Sequence, residues 1–153
     1  MKILLPIDGS DCSNKTLDWA ITTFNRNDHE FYLLTVIAVS PDMMQVEYEV
    51  TDASKALRTA RTKLECAGCK VGQTTYIFGN SVDRICEYAD EIAADQIIIG
   101  SHGRTGLNKI LMGSTSIAVM EHARQPVTIY RNVEPTSTRG KTESVEASLP
   151  AHS

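Results

Sequence analysis

The sequence lacks the features of a charge-driven nucleic-acid binder and of a membrane protein. Its 15 Lys and Arg against 19 Asp and Glu leave a formal charge of −4, which excludes nucleic-acid binding by basic charge alone. The segment Met1–Asp8 has too few apolar residues to supply a signal peptide or a membrane span. We therefore expect a cytoplasmic protein with neither a nucleic-acid nor a membrane partner.

The sequence is also poor in cysteine, with four residues at positions 12, 66, 69 and 86. Cys66 and Cys69 form one Cys-x2-Cys pair, but a structural zinc site needs a second pair of Cys or His ligands. A redox-active pair would stand at the start of a helix, whereas this pair falls where a helical segment ends at Gly68. We predict four free thiols, with the Cys66 and Cys69 thiols buried or half-buried, and no metal site.

Apolar periodicity predicts alternating strands and helices. The runs 3–7 and 32–37 lack polar alternation, as expected for parallel strands covered on both faces. The predicted strands are 3–7, 32–37, 71–78, 97–99 and 127–130. Helical spacing of apolar residues predicts helices behind Ser10 or Asp11, through 53–64, behind Asn80 or Ser81, and from Gly113-Ser114 to before Arg124. This alternation predicts an α/β fold, a doubly wound five-stranded parallel sheet with helices on both faces.

The composition changes at Asn132. Residues 132–153 contain no aromatic residue and no periodicity, so they cannot bury enough apolar surface to offset the entropy of ordering. We expect one domain over 1–131 followed by a flexible tail over 132–153.

The segment after the fourth predicted strand combines glycines and hydroxyls. Gly100 and Gly103 follow a buried strand, where glycine permits positive φ and close approach of a ligand. Gly113 and Ser114 stand at a predicted helix start, which offers unpaired N–H donors and a hydroxyl. Both arrangements suit phosphate. The alternative is that these glycines only turn the chain and allow helix-to-strand packing.

The spacing Gly100-x2-Gly103-x9-Gly113-Ser114 resembles the pattern of nucleotide-binding members of the universal stress protein family. Ile-Leu-Leu-Pro-Ile-Asp-Gly-Ser at 3–10 looks like that family's first strand and loop, and Gln-Pro-Val-Thr-Ile-Tyr-Arg at 125–131 looks like its last strand. The resemblance covers 1 to about 131. It implies a sheet of order 3-2-1-4-5 that binds ATP, and this order would make the loops after Ile7 and Ile99 flank one crevice.

The resemblance implies roles for individual residues. Pro6, Ile7 and Asp8 would contact adenine and ribose, Val36 would meet the adenine edge through its backbone, and Ile99 would line the base pocket. The phosphates and ribose would be surrounded by Gly100, His102, Gly103, Gly113, Ser114, Thr115 and Ser116. Mg²⁺ would enter with the triphosphate, held mainly by phosphate oxygens and by a Ser114 or Ser116 hydroxyl.

Three polar residues of this set have alternative interpretations. Asp8 can accept from ribose hydroxyls or serve as a charge at the start of the next helix. His102 can contact nucleotide or only bond backbone in its loop, and we expect contact without catalysis. Arg104 suits a γ-phosphate contact and a solvated loop charge equally well.

The sequence therefore predicts a stress-response or signalling protein that senses or holds ATP, a homodimer joined by its last strand. It has no P-loop and no dinucleotide-binding fingerprint, and Phe78-Gly79 stands where a receiver domain needs its acceptor Asp. Two alternatives stay open. One is an ATP pyrophosphatase-like enzyme, because the loop 8–13 loosely resembles the loop of such enzymes without its paired glycines. The other is a dimeric interaction protein that binds no nucleotide.

Overall fold

The computed structural model describes residues 1–24, 26–102 and 112–131 of the chain. Gly103, Arg104 and the predicted tail 132–153 lie outside these residues. The strands are β1 (Lys2–Pro6), β2 (Glu30–Ile37), β3 (Lys70–Phe78), β4 (Gln96–Gly100) and β5 (Val127–Tyr130). The helices are α1 (Asp11–Thr23), α2 (Met43–Cys66), α3 (Ser81–Glu91) and α4 (Ser114–His122). Within the described ranges, no helix is long and apolar enough to cross a membrane.

The five strands form one parallel sheet in the order β3-β2-β1-β4-β5. The chain leaves β1 toward β2 on one side and leaves β4 toward β5 on the other, so strand order reverses between β1 and β4. This reversal opens a crevice at the carboxyl ends of the two central strands. The predicted fold class and strand order are confirmed.

Alternating side chains of the strands build a core on each face of the sheet. On one face, Ile3 and Leu5 of β1 pack in a buried cluster with Leu17 of α1 and Leu57 of α2. On the other face, Leu4 of β1 belongs to a cluster with residues of α3 and α4, among them Ile85, Tyr88 and Val119. Two helices therefore cover each face, which explains why the central strands are apolar without alternation.

The helix starts follow local capping chemistry. The side chain of Ser10 accepts from the N–H of Ser13 at α1, and that of Asn80 accepts from Val82 and Asp83 at α3. These are the first-named of the two caps predicted for each helix. Helix α2 begins at Met43, ten residues before the predicted apolar segment, because Asp42 caps it.

The Cys-x2-Cys pair spans the end of α2. Cys66 is the last helical residue, Ala67 is the C-cap, and Gly68 has the positive φ of 78° that glycine adopts readily at this position. All four thiols are free. The expectation that Cys66 and Cys69 are buried or half-buried is confirmed for Cys69, which is buried, and is wrong for Cys66, which is exposed at the helix end.

Strands β3 and β5 are the two edges of the sheet. Every residue of β5 is half-buried, and Tyr130 pairs in register with Gly100 of β4. The ring of Tyr130 lies 5.8 Å from that of Trp19 on α1, and Trp19 also meets Phe24 edge-on at 5.9 Å. This aromatic group joins the β5 edge to the helix that follows β1.

Candidate functional site

A cavity of about 170 Å³ opens in the crevice between the carboxyl ends of β1 and β4. The ends of β1, β2 and β4 form its floor, and the first turns of α1, α3 and α4 form its walls. Eleven of the twelve residues predicted as site residues line it: Pro6, Ile7, Asp8, Val36, Ile99, Gly100, His102, Gly113, Ser114, Thr115 and Ser116. The twelfth, Gly103, lies outside the described residues.

The cavity is also lined by four residues that the sequence analysis did not predict: Ser13, Leu34, Ser81 and Ile85. Ser13 stands in the first turn of α1 and Ser81 is the first residue of α3. Both could have been predicted from the sequence, because each is a serine in the first turn of a helix that follows a parallel strand. Leu34 and Ile85 belong to the core cluster of the α3–α4 face, so their pattern in the sequence is that of ordinary core residues.

The first turn of α4 presents backbone donors to the cavity. Gly113 is the N-cap, and the helix start has no side-chain capping bond. Among the described residues, no group accepts from the N–H of Ser114 or Thr115, as expected for the first turn of a helix. The N–H of Gly113 itself is occupied, because it donates to the carbonyl oxygen of Ser101 at 2.6 Å. The predicted unpaired donors are therefore those of the residues after Gly113.

Gly113 and Gly100 serve close packing, and neither has a positive φ. A Cβ at Gly113 would lie 2.9 Å from the carbonyl oxygen of Ser101. A Cβ at Gly100 would lie 2.9 Å from Sγ of Cys12 and 3.0 Å from Oγ1 of Thr16, both on α1. The expectation of positive φ is wrong for Gly100, an extended strand residue whose missing side chain admits α1 close to β4.

Ser116 links α4 to the end of β4. Its buried hydroxyl donates to the carbonyl oxygen of Gly100 at 2.7 Å. The hydroxyl proton is thus committed, and its oxygen retains only acceptor capacity toward a ligand. Ser114 is exposed at the cavity mouth, which makes its hydroxyl the more available of the two serines proposed for Mg²⁺.

His102 has one ring nitrogen engaged and one without a partner. Nδ1 lies 2.8 Å from the hydroxyl oxygen of Ser101. Nε2 is buried, and no group of the described residues bonds it. When the Ser101 hydroxyl donates to Nδ1, Nε2 carries the proton and is a donor on a residue that lines the cavity. A buried polar atom without a partner is uncommon in folded proteins, so this nitrogen is a candidate ligand contact.

Asp8 is the one carboxylate among the described residues that line the cavity. Its Oδ1 accepts from the N–H of Ser10 at 2.9 Å, which fixes the loop before α1. The side chain is half-buried and borders the cavity. The same residue therefore orders the loop at the helix start and lines the cavity.

The end of β2 exposes backbone to the cavity. The last residue pair between β1 and β2 is Pro6 with Leu34, and β2 continues to Ile37 beside β3. Val36 lies beyond that last pair, so its edge toward the cavity has no β1 partner. The buried Thr35 hydroxyl donates to the carbonyl oxygen of Ile7 at 2.6 Å and closes the end of β1.

The electrostatic character of the cavity comes from helix starts rather than basic side chains. The first turns of α1, α3 and α4 all border it, and each carries partial positive charge. No Lys or Arg of the described residues lines it. The part of the chain that the structure describes also holds no group of three His, Cys, Asp or Glu residues suited to a metal ion. The cavity thus suits a ligand with an anionic group and an apolar ring.

Comparison with known proteins gives consistent results. The model of the universal stress protein family matches residues 1–131. Universal stress protein MJ0531 of Methanocaldococcus jannaschii is 32% identical over 139 residues, which cover 85% of this chain and 81% of that protein. The solved structure of protein MJ0577, also from M. jannaschii, has a TM-score of 0.75 at 28% identity and covers 87% of this chain and 96% of its own.

A crystal structure of a universal stress protein family protein from Arabidopsis thaliana, with AMP bound, has a TM-score of 0.69. It is 20% identical and covers 91% of this chain and 97% of its own. At this identity the likeness concerns the fold.

Proposed function

Because this chain belongs to the universal stress protein family, we propose that its cavity binds an adenine nucleotide, ATP carried with Mg²⁺, and that the protein senses or holds it in stress-response signalling. The observation that carries the proposal is the start of α4. There the N–H groups of Ser114 and Thr115 have no acceptor among the described residues, and the helix dipole adds positive charge beside the cavity. A phosphate group satisfies both features.

The remaining lining supports the adenosine part of the ligand. Pro6, Ile7 and Ile99 offer an apolar surface for the base, and the backbone at Val36 offers an edge for hydrogen bonds. The Asp8 carboxylate accepts from ribose hydroxyls, which is the role the sequence favours for it. The unpartnered Nε2 of His102 donates to a phosphate or ribose oxygen when it carries the proton. The AMP in the Arabidopsis structure accords with an adenine nucleotide.

Mg²⁺ fits as an ion that the nucleotide carries. Asp8 is the single carboxylate in the described lining, and Mg²⁺ commonly binds through one or two carboxylates or hydroxyls plus substrate phosphates. The exposed hydroxyl of Ser114 is the side-chain oxygen that we propose as a further Mg²⁺ ligand. We propose no independent metal site on the protein.

We further propose that the protein forms a homodimer through β5 in the cytoplasm. Strand β5 is a sheet edge whose backbone groups on one side lack a strand partner among the described residues, and such an edge pairs readily with its copy. Four free thiols suit a reducing compartment. Sedimentation of wild type and of Ile129→Pro tests the dimer, because the N–H of Ile129 faces the open side of β5 whereas that of Thr128 faces β4. Unchanged sedimentation of a folded variant contradicts it.

The binding proposal is tested on nucleotide-stripped protein by thermal unfolding and calorimetric titration with ATP, ADP and AMP, each with and without Mg²⁺. At about 100 times its dissociation constant, ATP adds roughly 2.7 kcal/mol to the free energy of unfolding. For about 130 ordered residues, the Tm rises by roughly 5 °C or more. The proposal is refuted if none of the three nucleotides raises the Tm at millimolar concentration. Release of phosphate or pyrophosphate from ATP would show that the protein is an enzyme that hydrolyses ATP.

A charge variant separates phosphate binding from folding. Ser114→Glu places a carboxylate in the first turn of α4, where it interacts favourably with the helix dipole. The variant therefore stays folded, yet it repels a phosphate and weakens ATP binding by at least about tenfold. Ser114→Gln is the matched control, of similar size without the charge. Equal ATP affinity in the Glu and Gln variants contradicts the placement of phosphates at α4.

A further inference from the structure

The first ten residues of α2 form a helical extension in which no residue is fully buried. The buried residues of α2 are Ala53, Leu57, Ala60 and Leu64, all in its later turns. Residues 43–52 contribute none, although they span about 15 Å of helix. Val46, Glu49, Val50 and Asp52 are half-buried and the other six residues are exposed, so this segment packs only lightly within the described chain.

Large apolar side chains lie exposed on this extension. The exposed fractions are 77% for Met43, 82% for Met44 and 69% for Tyr48, and Val39 just before the helix is 78% exposed. Met44 and Tyr48 are four residues apart and share one side of the helix. At 100° per residue, that side is opposite the stripe through Ala53 that packs on the sheet. A cluster of exposed large apolar residues indicates an interaction site.

The same segment is acidic. It contains Asp42, Glu47, Glu49 and Asp52, and the first basic residue after them is Lys55. Asp42 also caps the helix by accepting from the N–H of Met44, but its charge remains. We call Val39, Met43, Met44, Tyr48 and these four carboxylates the α2 surface. It combines flexible, polarizable thioethers, which adapt to varied partners, with four negative charges.

We propose that the α2 surface docks a basic amphipathic segment of another protein, with apolar residues of that segment on the methionines and Tyr48 and its Lys or Arg residues facing the carboxylates. Charge complementarity selects this occupant. A second copy of the chain would bring four like charges against four, and anionic membranes and nucleic acids would be repelled for the same reason. The chain's own residues 132–153 carry a net charge of −1, with three Glu against Arg139 and Lys141.

The probe is a synthetic amphipathic helix of roughly 18 residues with leucine on one face and lysine on the other. Methyl NMR of the full chain labelled at methionine resolves the site, because exposed Met1 and Met120 lie elsewhere on the surface. The proposal predicts saturable shifts at Met43 and Met44 that weaken with salt, and none at Met1 or Met120. Equal shifts at all exposed methionines, or no shifts, overturn it. Shifts at Met43 and Met44 on concentrating the protein without peptide assign a second copy as the occupant and also overturn it.

Variants separate the apolar and the charged contributions. Met43→Gln with Met44→Gln is expected to weaken the peptide by at least about tenfold, as for the loss of central apolar anchors. Glu47→Gln is expected to reduce the salt dependence. Met120→Gln is the matched control, since it removes an exposed methionine outside the α2 surface. All are exposed positions, and thermal unfolding verifies the fold. Equal peptide affinity in the double variant and in Met120→Gln contradicts the proposal.

Discussion

Replacement of Gly113 by alanine tests the close approach of two loops at the rim of the cavity. Gly113 has φ −63° and ψ 148°, a conformation open to any residue, so backbone strain plays no part. The added Cβ would lie 2.9 Å from the carbonyl oxygen of Ser101, well inside the contact distance of about 3.5 Å for nonbonded heavy atoms. That carbonyl cannot easily move, because Ser101 is 1% exposed and its N–H donates to Tyr130 at 2.8 Å.

Relief of this contact requires a shift of backbone rather than of a flexible side chain. Overpacking of this kind lowers the free energy of unfolding by about 1–3 kcal/mol. For about 130 ordered residues, 1 kcal/mol corresponds to roughly 4 °C, so the Tm of Gly113→Ala falls by roughly 4–12 °C. Thermal and urea unfolding without nucleotide measure this loss. If the proposed ATP site is right, the variant also binds ATP more weakly, because the bond between Gly113 and Ser101 positions the start of α4.

A serine at the same position separates steric contact from helix capping. Alanine is a poor N-cap and serine a good one, yet both carry the Cβ that meets Ser101. The contact explanation predicts that Gly113→Ser is destabilised nearly as much as Gly113→Ala. Capping alone predicts a serine variant as stable as wild type or more so. Ser114→Ala, one residue later and exposed, is the control and should change stability by less than about 0.5 kcal/mol. A stable Gly113→Ser would refute the steric reasoning.

Three further outcomes are expected. Ser116→Ala removes the donor to the Gly100 carbonyl and lowers the free energy of unfolding by about 1–3 kcal/mol in chemical denaturation, whereas an unchanged value would show that another donor replaces it. Burial raises the pKa of Tyr88 above 10.0, so the folded state disfavours the phenolate and stability falls as the pH rises past about 10. Tyr88→Phe should flatten that fall and, because the hydroxyl has no partner among the described residues, leave stability at neutral pH equal or higher; an identical pH profile would contradict this. A disulfide reagent at neutral pH should modify exposed Cys66 first and Cys69 last, since burial also raises the pKa of the Cys69 thiol; the opposite order would contradict the assigned burial.

The fold was predictable because its signals are local. Continuous apolar runs mark strands covered on both sides, and Ser10 and Asn80 carry cap chemistry at their own helix starts. The early start of α2 was missed although local signals were present. Met43, Val46 and Val50 continue the three- and four-residue spacing that runs through Ala53, and Asp42 caps the helix. Exposed Met44 and Tyr48 interrupt this pattern, and Val46 and Val50 are only half-buried.

The site was predictable as a set of residues but not in its internal contacts. The spacing from Gly100 to Ser114 identifies the segments that border the cavity. The role of Gly100, however, depends on how closely α1 approaches β4 through Cys12 and Thr16. The contribution of Ser81 depends on the path of α3 across the sheet. Both are tertiary relations between distant parts of the chain, which no local pattern encodes.

The aromatic group at the β5 edge gives the protein an intrinsic optical probe. Trp19 is the single tryptophan of the sequence, and its indole lies against Tyr130, the residue paired with Gly100 on the cavity floor. Excited tyrosine transfers energy to a nearby indole, and indole emission shifts with the polarity of its surroundings. Fluorescence of the unlabelled protein therefore reports on the β5 edge. A displacement of β4 that moves Tyr130 would also change the emission of Trp19.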